Sequence, residues 1–167
     1  MEEKKSTIDK TKFDEYKMII DDTARFTDRR QNVSNLYVTV NSLLLTAIAF
    51  IAKDANLKQF WILLFSIPLA IAGIFISSSW KQLLGKYKKL NRIRFDVLWE
   101  MEDDEALDGI EKMYHKENEL YPRDKKGKII QGLGLNFSDL ESKLPMMFIV
   151  LYGVALVGIV GMLISAM

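Results

Sequence analysis

His115 is the only histidine in the 167-residue chain, and cysteine is absent. A zinc site draws several ligands from imidazoles, thiolates and carboxylates, and here the imidazole has no second imidazole or thiolate to join it. Glu111 and Glu119 stand at i−4 and i+4 from His115, which is the spacing of a surface ion pair on a helix. The acidic run "EMEDDE", residues 100–105, has enough carboxylates to attract a divalent cation. It lacks the glycine and the spacing of a calcium loop, so it reads as a solvated helix face or junction. "GLG" at 132–134 is too short for a dinucleotide fingerprint and follows no strand. With no thiol, disulfides and thiol redox chemistry are excluded. No catalytic constellation emerges, and the expectation is a non-enzyme with neither metal nor cofactor.

Asn35, Thr39, Ser42 and Thr46 form a more informative set. Their spacing of i, i+4, i+7 and i+11 stacks them on one side of a helix as a continuous amide and hydroxyl stripe. Ser34 and Asn41 fall to the side of it. Such groups are unfavourable in lipid unless they meet another helix or water, so the striped face should turn inward. Two readings stay open. The stripe bonds to neighbouring helices, each contact contributing roughly 0.6 kcal/mol, or several copies of the helix surround a water-filled path that neutral groups line without strong charge selection. Gly158, Gly161 and Ser165 repeat a small-residue spacing further along the chain, with Gly153 expected near the same side. Small residues let helices approach closely, which makes this set a candidate packing face.

Basic residues form the third set. Lys88, Lys89, Arg92 and Arg94 surround a helix, and Lys125, Lys126 and Lys128 add a basic loop. Repeated around an oligomer, this charge would attract a nucleotide or oligonucleotide. The same charge also fits the bias of membrane proteins toward lysine and arginine on one side, with lipid phosphates as partners.

The elements that carry these sets are three uncharged runs, 33–52, 60–80 and 145–167, each long enough to cross a bilayer. The fold class is therefore an all-α membrane protein with three transmembrane helices. Arg25, Arg29 and Arg30 precede the first span, Lys81 to Arg94 follow the second, and Lys143 precedes the third, against Lys53 and Lys58 alone in the short connection at 53–59. That asymmetry puts the N-terminus and residues 81–144 in the cytoplasm and the C-terminus outside. Four segments result: a cytoplasmic amphipathic helix over 1–32, a transmembrane hairpin over 33–80, a cytoplasmic helical segment over 81–144 with a loop at 121–137, and a last span over 145–167.

No Pro or Gly interrupts residues 10–52, so one helix should run through them, with Phe13, Tyr16, Ile20 and Ala24 at helical spacing. Trp80, Leu84, Tyr87, Leu90, Val97 and Met101 likewise extend the second span, with Gly85 as a weak point and Pro68 as a kink site. A further helix is expected over 105–120, where Leu107, Ile110 and Tyr114 would share a face. Ser138 and Glu141 have the spacing of a capping box that opens a short helix before the last span. Two small or polar helix faces offer more associating surface than one copy can use, which points to a homo-oligomer.

Three stretches, "EYKMIIDDTARFTDRRQNVSNLYVTVNSLLLTAIAF", "SWKQLLGKYKKLNRIRFDVLWEME" and "DLESKLPMMFIVLYG", give the chain a likeness over nearly its whole length. It resembles the RipA-type octameric membrane proteins, which are related in kind to the membrane accessory protein of RNA-targeting CRISPR systems. Arg29, Arg30, the segment 81–94, Glu141, Pro145 and Phe148 are the matching positions. The chain lacks an R-x-x-x-x-H pair, so no HEPN-type nuclease activity carries over, and the loop over 121–137 departs from the pattern. The resemblance implies a homo-oligomeric ring of four or more subunits in the lipid of a prokaryotic inner membrane. It implies a membrane effector of anti-phage defence that perturbs the membrane when a partner senses infection. Taken with the polar stripe and the basic set, the expectation is a gated pore opened by a nucleotide or oligonucleotide or by a soluble partner enzyme from the same locus. The alternative is a non-conducting anchor or regulatory subunit that recruits a soluble defence enzyme.

Overall fold

The computed structural model describes residues 9–53, 60–120 and 141–165, in which every regular element is helical. Helix α1 spans Lys10–Lys53 and α2 spans Phe60–Glu102, each unbroken; α3 spans Met113–Glu119 and α4 spans Leu144–Ser165. Three of them, α1, α2 and α4, are long and apolar enough to cross a membrane. Asp9 caps α1, its carboxylate accepting from the amides of Thr11 at 2.8 Å and Lys12 at 3.3 Å, two of the donors a helix start leaves open. Pro68 and Gly85 both lie inside α2 without ending it.

The chain divides into two units, at 30/31, 85/86 and 140/141, where the sequence suggested 32/33, 80/81 and 144/145. The first, the membrane unit, comprises Gln31–Gly85 and Glu141–Met167. Its core contains Ile48 of α1, Trp80 and Leu84 of α2, and Phe148, Tyr152 and Ile159 of α4. The Trp80 ring stacks on Tyr37 with centroids 5.7 Å apart and meets Phe148 at 6.2 Å. Gly73 is required by close approach: a Cβ there would sit 2.1 Å from Cζ of Tyr152, inside the ring.

The second, the charged unit, comprises Met1–Arg30 and Lys86–Leu140. Tyr16, Leu98 and Leu107 are buried together, with Ile20, Ile110 and Tyr114 packed around them. Here the expected helix over 105–120 is corrected. Asp104 caps a single 3-10 turn at Glu105–Leu107 by accepting from the Ala106 amide, and the chain then reverses at Gly109, whose φ of 104° suits glycine. Leu107, Ile110 and Tyr114 still share a core, but from three different pieces of backbone. The capping position Ser138 and the loop over 121–137 lie outside the described residues.

Candidate functional site

Within the membrane unit, α1 carries two polar faces. Ser34 and Asn41 are buried with Ile48 at a seven-residue interval, forming the seam that packs against α2 and α4. Asn35, Thr39, Ser42 and Thr46 are all exposed. At about 100° per residue the two faces lie roughly 130° apart around the helix. The stripe therefore turns away from the chain's own helices, and the inward-facing polar residues are the pair the sequence set aside.

The seam is hydrogen-bonded. The Ser77 hydroxyl donates to Oδ1 of Asn41 at 2.8 Å, and the Asn41 amide nitrogen donates to the Tyr37 carbonyl at 2.8 Å. The Tyr152 hydroxyl lies 3.1 Å from both the carbonyl and Oδ1 of Asn41. Ser34 donates to Glu141 and accepts weakly from Trp80 Nε1 at 3.4 Å. These bonds offset the cost of placing amide and hydroxyl groups in an apolar interior. Their signal in the sequence is the interval from Ser34 to Asn41 to Ile48, a heptad that also contains an apolar residue.

The outer stripe is built differently. The hydroxyls of Thr39 and Thr46 donate to the carbonyls of Asn35 at 2.9 Å and Ser42 at 2.8 Å, one turn back on their own helix. On α4, Gly158, Gly161 and Ser165 are exposed, and nothing lies within 4 Å of a Cβ built at either glycine. Their face lies roughly 130° around the helix from the one that buries Phe148, Tyr152 and Ile159. Gly153 is half-buried and stands apart from the other three, because five residues separate it from Gly158, about 140° of rotation.

In the charged unit, Lys88, Lys89 and Arg92 are exposed on α2, with Lys88 and Arg92 one turn apart on the same face. Arg94 faces elsewhere: its Nε donates to Asp22 at 2.9 Å and its guanidinium lies 4.0 Å from the centre of the Phe26 ring. It ties α1 to α2. Lys125, Lys126 and Lys128 lie outside the described residues.

His115 has partners the sequence did not indicate. Its Nδ1 lies 2.7 Å from Glu102 Oε2 and its Nε2 lies 3.2 Å from Asp103 Oδ2, whereas Glu111 pairs with Lys116. Glu102 is 2 % exposed and also accepts from the Tyr16 hydroxyl and the Tyr114 amide, both at 2.9 Å, and from the His115 amide at 3.1 Å. The two amides belong to the first turn of α3, so a carboxylate from α2 supplies that helix with the acceptor its start lacks. Burial disfavours the Glu102 carboxylate, but donation from the His115 ring, the Tyr114 amide, Tyr16 and the His115 amide outweighs it and holds the group below its ordinary pKa of 4.5. Tyr16 is pushed up, first by burial and then by the bond to Glu102. The acidic run is thus not uniformly solvated: one member is the buried centre of the unit and another caps a turn.

Three apolar helices, a satisfied internal seam and two polar or small faces pointing away from it define an integral membrane protein built to associate with copies of itself. The chain belongs to the octameric membrane protein family (8xMP), whose model matches residues 13–161. No curated protein and no solved structure matches it. Of the positions singled out by resemblance, Glu141, Pro145 and Phe148 lie at the seam, Glu141 bonded to Ser34 and the other two buried, whereas Arg29, Arg30 and residues 86–94 belong to the charged unit.

Proposed function

We propose that the protein is the membrane effector of a prokaryotic anti-phage defence system, a ring whose first helices surround a gated aqueous path. The observation that carries this reading is the exposed stripe of Asn35, Thr39, Ser42 and Thr46 within an apolar helix. The seam meets its polar requirements inside one copy, and the stripe does not need the copy's other helices. In a ring it faces neighbours or water, and neutral amides and hydroxyls along a wet path would conduct with little charge selection. The defence role rests on the resemblance of the three quoted stretches. The basic bias around the spans supports insertion in the inner membrane with the charged unit in the cytoplasm and the C-terminus outside. There Lys88, Lys89 and Arg92 would meet a nucleotide or oligonucleotide, or a soluble partner enzyme would engage the charged unit.

A second reading has its own support. Because Thr39 and Thr46 already donate to carbonyls of their own helix, the stripe can lie against neighbouring copies without unmet donors, in a non-conducting anchor. Ion flux from vesicles holding the purified protein, with and without a short RNA oligonucleotide, separates the two. A pore predicts that Thr39→Leu with Thr46→Leu lowers flux to that of protein-free vesicles while the assembly stays intact. Unchanged flux in that variant removes the stripe from the path, and no flux from the unaltered protein under either condition favours the anchor.

A further inference from the structure

Past the apolar run of α2, the helix carries Lys81, Lys86, Lys88, Lys89, Arg92, Arg94 and Asp96. Hydrocarbon does not accept that density of charge, so water or protein surrounds this stretch. Within it Leu90, Ile93 and Val97 are exposed by 46, 59 and 37 %. Their i, i+3 and i+7 spacing stacks them into one apolar stripe. It is not the packing face of the unit, since the fully buried Leu98 lies roughly 110° around the helix.

On α1 of the same unit, Met18 is 65 % exposed and stands roughly 150° from the buried Tyr16 and Thr23. Met18 sits in a shallow depression of about 410 Å³ shared with Asp14, Lys17, Asp21, Asp22 and Arg25. The Tyr16–Glu102 and Arg94–Asp22 bonds set residues 16–22 of α1 level with residues 94–102 of α2. Val97 and Met18 therefore lie at one level of the unit, on different helices.

Membership in an octameric membrane family supplies the occupant, a second copy. In a single ring of eight copies each neighbour is turned by about 45° about the ring axis, so adjacent copies are not related by a two-fold axis. The contact must be heterologous, one face of each copy meeting a different face of the next, which is the arrangement that closes a ring. We propose that Leu90, Ile93 and Val97 of one copy pack into the Met18 depression of the next. Lys89, Asp96 and Glu100 edge the stripe and charges of both signs rim the depression, so ionic contacts surround an apolar centre. This contact does not depend on the ring conducting anything.

The chain has no cysteine, so crosslinking reports only what is introduced. In the full-length octamer, mild oxidation of the Met18→Cys and Val97→Cys double variant should give a ladder of crosslinked chains on a denaturing gel, and each single variant should stay monomeric. Separately, Ile93→Glu should shift the assembly to smaller species by native mass spectrometry while circular dichroism shows the helix content kept, with Ile93→Ser as a milder form. No ladder from the double variant, self-crosslinking of Val97→Cys alone, or an octamer that survives Ile93→Glu overturns the proposal. Ile93→Glu weakening attachment to phosphatidylglycerol vesicles or to a soluble protein, with the octamer intact, would assign the stripe to that occupant instead.

Discussion

Glu102 shows how much a single side chain can organise. It joins Tyr16 of α1, the first turn of α3 and the His115 ring through one carboxylate. Tyr16→Phe should cost about 1 kcal/mol, the usual net value of one hydrogen bond, and Glu102→Gln about 1.5–3 kcal/mol because the bonds are charge-assisted. Thermal unfolding in detergent checks both. Since Glu102 ionises more readily when folded, its contribution is complete above the unfolded carboxylate's pKa of 4.5 and is lost as pH falls through the lower folded value. The acid limb of the stability profile should therefore flatten in Glu102→Gln. Gly73→Ala tests packing in the membrane unit: its Cβ would overlap the Tyr152 ring, and displacing a ring held by Asn41 should cost about 1–3 kcal/mol. A variant as stable as the unaltered protein would refute that contact.

At the scale of the helix, length and continuity were legible and orientation was not. Residues 10–52 contain no Pro or Gly, and the charge-free runs announce their own length, so α1, α2 and α4 follow from the sequence directly. Which polar face of α1 the chain covers is a different problem. Ser34 with Asn41, and Asn35 with its three followers, both have helical spacing, and only the positions of Ser77, Tyr152 and Glu141 decide between them. The partners of His115 were hidden for a related reason: they reach it across the turn at Gly109, which local spacing along one helix does not anticipate. The basic set also separates at this scale. Lys88→Glu with Arg92→Glu should abolish binding of a labelled RNA oligonucleotide if that face meets an anion, and binding that survives both reversals would count against a nucleic-acid signal at that face.

At the scale of the whole molecule, membership in a family of octameric membrane proteins makes each copy part of a homo-oligomer, and its surplus faces are the surfaces proposed to serve that assembly. The Leu90 to Val97 stripe would join copies in the charged unit, while the Gly158, Gly161 and Ser165 face of α4 offers close approach within the membrane. The stripe on α1 is then free to line the centre. Single cysteines at Asn35, Thr39, Ser42 and Thr46, and at Ser34, Asn41 and Ile48 as controls, would be treated in the assembled protein with a charged, membrane-impermeant thiol reagent. A central aqueous path predicts labelling at the first four positions and protection at the other three. Protection at all seven in an intact octamer, with and without the oligonucleotide, would contradict it and leave the stripe as a contact between copies.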